Sequence, residues 1–169
     1  MRVTSAQAAK LLRQLNDELR ALQIKETNSS SFVAAIQEDI ESVRPAYSFK
    51  EMRIAQDELA KKIRNVKHAI NVFNTVTVVP NFDMTIDEML VYLPQLSIEC
   101  DTLSKMRDAM PKIRVSNGYS SSGSIIDYRY ANYDIEEVGR YYTELSETLA
   151  KAQTSLDLVN NTVEFDIDI

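Results

Sequence analysis

The sequence predicts a mainly α-helical fold with a small β component: long helices arranged as a bundle or as paired helical hairpins, capped by a small antiparallel sheet. Three observations carry that prediction. Four capping boxes stand at the heads of four apolar stripes, every stripe repeats at helical spacing, and the final residues switch to strict alternation of apolar and acidic side chains.

The boxes are Thr4 with Gln7, Ser48 with Glu51, Thr85 with Glu88, and Asp134 with Glu137. In each, the first side chain accepts a hydrogen bond from an orphan N–H of the opening turn, and the acid or amide three residues on reaches back to the cap's own N–H. Behind the first box, Ala8, Leu12, Leu15, Leu19 and Leu22 step by four and three, predicting a helix to about Glu26. The second stripe is Met52, Ala55, Leu59, Ile63, Val66, Ile70 and Phe73. The third is Ile86, Leu90, Leu93, Leu96, Cys100, Leu103 and Met110, stopped by Pro111, with Pro94 inside it predicting a kink near Leu90. The fourth is Val138, Tyr142, Leu145, Leu149, Ala152, Leu156 and Val159. Such helices of roughly 22 to 26 residues, about 33 to 39 Å long, bury narrow seams by lying alongside one another, as coiled coils do. A shorter amphipathic piece, Phe32, Ile36, Ile40 and Val43, predicts a brief fifth helix between Ser29-Ser30-Ser31 and Pro45.

Elsewhere the period drops from 3.6 to 2. Val163-Glu164-Phe165-Asp166-Ile167-Asp168-Ile169 alternates as a strand with one buried and one wet face. Val76 to Val79 is β-branched and ends at Pro80, while Ile113 to Val115 and Ile125 to Tyr130 flank a Gly/Ser-rich segment and predict two strands joined by a loop. Asn74 to Val78 lines up with Asn161 to Phe165 at an offset of 87 residues, Ser48 with Asp134 at 86, and Thr4 with Thr85 at 81. The landmarks suggest a two-fold internal repeat within one domain spanning residues 1–169, with halves 4–79 and 85–169, in which the two strands could be sheet neighbours.

Composition narrows function by exclusion. With 19 Lys plus Arg against 25 Asp plus Glu, the formal charge of −6 repels phosphate backbones at long range, so nucleic acid is not expected as a partner. A lone cysteine forms no intramolecular disulfide, no stretch approaches a membrane span, and the N-terminal residues lack the apolar run of a secretory signal. A cytoplasmic protein without membrane partners is the expectation. His68 has only Cys100 as a fellow soft metal donor, so neither a zinc site nor a catalytic His is expected. Cys100 lies on a seam between Glu99 and Asp101, which marks it as core rather than nucleophile. Three glycines cannot supply a phosphate-binding loop. The acidic row Glu164, Asp166 and Asp168 reads as the wet face of a strand, with a divalent cation as the other reading. No catalytic, cofactor-binding or metal-ligating residue is therefore expected.

Tyrosine alone is unevenly placed: Tyr119, Tyr128, Tyr130, Tyr133, Tyr141 and Tyr142 are six of the eight. They form either a recognition surface or the cross-strand packing of a hairpin. Together with the alternating tail they define the candidate interaction surface: Tyr119, Tyr128, Tyr130, Tyr133, Val163, Phe165 and Ile167.

The runs Ile70-Asn71-Val72-Phe73-Asn74-Thr75, Met84 to Leu90, Ile126-Asp127-Tyr128 and Leu156 to Glu164 resemble a family of small, uncharacterised bacterial helical proteins, some of which carry the name septicolysin. The resemblance implies a helical fold and no established activity. The inherited name implies a thiol-activated cytolysin, from which this chain departs in lacking a membrane-inserting hairpin and a reactive cysteine. The expected function is a non-enzymatic, homo-oligomeric scaffold or interaction module. The alternatives are an enzyme with an intersubunit acid-based site, a holdase-like helical chaperone and a toxin-associated protein.

Overall fold

Helix-start chemistry sets the frame. In the computed structural model, which describes residues 1–115 and 127–169, all four caps open a helix. Helix α1 runs Ser5–Ser29 behind Thr4 and α2 runs Ile40–Val43. Helix α3 runs Phe49–Val76 behind Ser48, α4 runs Ile86–Arg107 behind Thr85, and α5 runs Ile135–Thr162 behind Asp134. The boxes at Thr4 and Thr85 are reciprocal, with Gln7 and Glu88 each accepting from the cap's own N–H. Helix α4 continues through Pro94 without interruption.

Among the described residues there are six short strands, and they pair in twos. Strand β1 (Arg2–Thr4) lies antiparallel to β6 (Glu164–Asp166), with Arg2 opposite Asp166 and Val3 opposite Phe165. Strand β2 (Val78–Val79) pairs with β3 (Met84–Thr85) across a turn in which Asn81 and Asp83 take positive φ, a conformation Asn and Asp tolerate better than most residues. Strand β4 (Lys112–Arg114) pairs with β5 (Tyr128–Tyr130). Among the described residues the β component is thus three two-stranded pieces rather than one cap. The Val78–Val79 strand and the tail strand, expected as neighbours, have different partners.

The chain divides into two compact units, one made of Met1–Thr77 with Asp157–Ile169 and the other of Val78–Leu156. In the first, α1 and α3 form a helical hairpin whose core joins Val3, Ala8, Leu15, Ile63, Val66 and Ile167. Every member of the α3 stripe is buried or half-buried. In the second, α4 and the facing part of α5 run in opposite directions: Arg107 lies against Gly139 and Cys100 against Ser146. Met89 is fully buried there, whereas Leu90 is half exposed, so the α4 seam runs Ile86, Met89, Leu93, Leu96, Cys100, Leu103. That seam keeps a steady three-four alternation which the step from Ile86 to Leu90 breaks. Met110 lies beyond the helix and is exposed.

The predicted helix from Phe32 to Val43 is reduced to the four residues of α2. Val33 and Ile36 are almost wholly exposed, so this stretch has no helical face to bury; helices this short form only where packing supports them.

Candidate functional site

The seven residues picked out from the sequence fall into two groups, one in each unit. Tyr119 lies outside the described residues. Tyr128 and Tyr130 sit on β5, 42% and 61% exposed, and their rings are 6.4 Å apart. The Lys112 ammonium rests 4.0 Å above the Tyr128 ring and 5.3 Å from that of Tyr130, a cation–π arrangement across the hairpin. Tyr133 anchors the end of the hairpin by donating its hydroxyl to the Met106 carbonyl at 3.0 Å. Tyr142 lies under Arg107, whose guanidinium is 4.4 Å from its ring. Tyr133 and Tyr142 thus pack, whereas Tyr128 and Tyr130 keep exposed faces.

The tail residues divide differently. Val163 is partly exposed. Phe165 is half-buried and stacks on Phe73 of α3, centroids 4.3 Å apart. Ile167 is 1% exposed and belongs to the core with Val3 and Val66, so it offers no surface. Its N–H donates to the Met1 carbonyl at 2.8 Å and its carbonyl accepts from the Met1 amino group at 2.7 Å. Glu164, Asp166 and Asp168 are exposed, as expected for the wet face, and Arg2 pairs with Glu164 at 3.1 Å. Beside β6 runs an open groove of about 550 Å³, walled by Val72, Phe73 and Val76 of α3 and by Phe165, with His68, Asp166 and Asp168 at its polar rim.

A second arrangement was not foreseen from the sequence. Glu26, at the end of α1, accepts hydrogen bonds from Gln56 at 2.9 Å and Tyr47 at 3.1 Å, and it is ion-paired with Arg53. The bond from Gln56, joined by those from Tyr47 and Arg53, holds the Glu26 carboxyl below the usual glutamate range against the opposing effect of desolvation. Burial, and then the same bond, pushes the Tyr47 hydroxyl up. The Arg53 Nε is buried with no partner among the described residues. These groups tie the end of α1 to the start of α3 and to the segment between them. Gln56, a polar residue that is 8% exposed on the helix next to the Met52 seam position, is the one signal that could have revealed the arrangement.

Among the described residues no group of three or more His, Cys, Asp or Glu could hold a metal ion. No helix among them is long and apolar enough to cross a membrane. Cys100 is buried, its Sγ 3.9 Å from the Ser146 hydroxyl.

No family model and no curated protein matches the chain. Among solved structures, the chain is similar to a functionally unknown conserved protein from Corynebacterium diphtheriae: the match covers 98% of this chain and 100% of that one, with a TM-score of 0.58 and 18% identity. The two share a fold. At that identity the likeness extends to the arrangement of helices and short strands and to no activity.

Proposed function

We propose that the protein is a non-enzymatic interaction module that works as a homo-oligomer, presenting its strand edges and its tyrosine-bearing hairpin. One observation carries this reading. Each of the three sheets among the described residues has only two strands, so β4, β5 and β6 have no strand partner on their outer sides, whereas Thr4 of β1 and Thr85 of β3 give their N–H groups to Gln7 and Glu88. A two-stranded piece is marginal alone, and edges beside exposed apolar side chains are where chains associate. Tyr128 and Tyr130 on one such edge, and the apolar groove beside β6 on another, supply contact area of the kind that interfaces favour. An oligomer with closed symmetry would cover these edges, a dimer being the smallest.

Light scattering tests the reading. An assembly should be seen at micromolar concentration, at a multiple of 19.2 kDa, whereas a mass that stays at 19.2 kDa throughout rejects it.

A further inference from the structure

We propose that the groove beside β6 receives strand β4 of a second copy of this chain, which extends the β1–β6 pair by one antiparallel strand. This deepens the homo-oligomer reading and rests on it.

The backbone comes first. Met1 and Ile167 exchange both of their hydrogen bonds, and in an antiparallel pair such bonding alternates along the strand. Val3 and Phe165 therefore form the next bonded pair. By the same alternation Glu164, Asp166 and Asp168 turn their N–H and C=O groups away from β1, and Asp166 and Asp168 line the groove. Among the described residues only the Asp168 carbonyl has a partner there, accepting from the Asn65 side chain at 3.2 Å. On the hairpin, Val115 donates to Asp127 at 2.9 Å and Ala131 to Pro111 at 3.1 Å. By the same alternation Ile113 bonds Arg129, while Lys112 and Arg114 present their backbone groups outward. Each strand thus offers an open edge at two neighbouring alternate positions.

The side chains select the partner. On β6 the edge positions carry Glu164 and Asp166; on β4 they carry Lys112 and Arg114. Set antiparallel, Arg114 falls opposite Glu164 and Lys112 opposite Asp166, two opposite-charge cross-strand pairs. In the same register Ile113 falls opposite Phe165. That is the face on which Phe165 stacks against Phe73 and where Val72 and Val76 stand exposed, so Ile113, itself 46% exposed, gains an apolar seat. Pairing β6 with a second β6 would instead oppose carboxylates, which is destabilising. Among the described strands β4 alone carries two basic residues at outward positions. The groove and the inserted strand are different surfaces, so the contact is heterologous and closes either reciprocally or around a ring.

The test reverses charge on one strand at a time and then mixes the products. The K112E/R114E variant and the E164K/D166K variant, each confirmed as helical by circular dichroism, should both run at 19.2 kDa under conditions where the wild type is assembled. Mixed in equal amounts they should associate again, at the wild-type mass where the assembly has an even number of copies, because the acidic strand of one now meets the basic edge of the other in both directions. Recovery on mixing also shows that neither variant was lost to misfolding. A wild type that is assembled, with both variants still assembled, overturns this contact while leaving the homo-oligomer standing. Two monomeric variants that ignore each other also overturn it. A monomeric wild type defeats both readings; if it then binds a free peptide with the sequence of residues 111–115, the groove takes a foreign strand rather than a second copy.

Discussion

Glu26 shows how one side chain can hold two helices in register. Because its carboxyl is held below the ordinary value, its contribution to stability is complete above pH 4.5 and is lost as pH falls through the lower folded value. Glu26→Gln should therefore be less stable than the wild type at neutral pH, and the difference between the two should shrink on the acid side of pH 4.5, as measured by urea denaturation at a series of pH values. A difference that is the same at every pH would show that the charge does not matter. At Ile167 the mechanism is packing: truncation to Ala leaves a void among Val3, Ala8 and Val66 and should cost about 2 to 4 kcal/mol. Cys100 should react with a thiol reagent far more slowly in the native protein than in denaturant, and Cys100→Asp should cost a few kcal/mol, as an unpaired buried charge does. Burial of Cys100 was legible from its seam position. The grip on Glu26 was not, since it joins residues 21 to 30 positions apart and depends on how α1 meets α3.

At the scale of elements, what is local in chain was readable and what is remote was not. Caps and stripes involve residues three and four apart, and all four long helices begin where Thr4, Ser48, Thr85 and Asp134 place them. The register of α4 slipped by one residue, to Met89 in place of Leu90, because both are apolar and only the facing element decides between them. Strand β1 had no signal of its own: Arg2-Val3-Thr4 is three residues long and becomes a strand because the tail, 160 to 164 positions away, pairs with it. The Phe32 to Val43 stretch failed for the converse reason, having a helical period but nothing to pack against. Two substitutions probe the helices. Thr85→Ala removes the acceptor for the Glu88 N–H and the hydroxyl that donates to the Glu88 carboxylate, while the backbone N–H at position 85 keeps its bond to Glu88, and should cost about 1 kcal/mol. Pro94→Ala restores a backbone donor at an exposed position inside α4 and should raise stability by about 1 to 3 kcal/mol, read from the denaturation midpoint; a loss would mean that α4 needs its proline.

For the molecule as a whole, the same succession recurs: strand, long helix, insert, long helix, strand, first as β1, α1, α2, α3, β2 and then as β3, α4, the β4–β5 hairpin, α5, β6. The opening strand of each succession pairs with the closing strand of the other, β1 with β6 and β3 with β2. One of these pairings is a tight turn and the other spans nearly the full chain, and this asymmetry has a kinetic consequence. The β2–β3 turn and the α1–α3 hairpin can form from neighbouring sequence within microseconds, but β1 must wait for a partner 160 residues downstream, across a loop whose closure is entropically costly. Refolding should then show the first unit losing amide exchange last along Val3 and Phe165, after the helices are already protected. Joining Asp168 to Met1 through a short turn, with new ends opened between Asn81 and Asp83, would turn the slowest pairing into a hairpin and the fastest into the remote one, so the order in which the two sheets appear should reverse while the folded architecture stays the same.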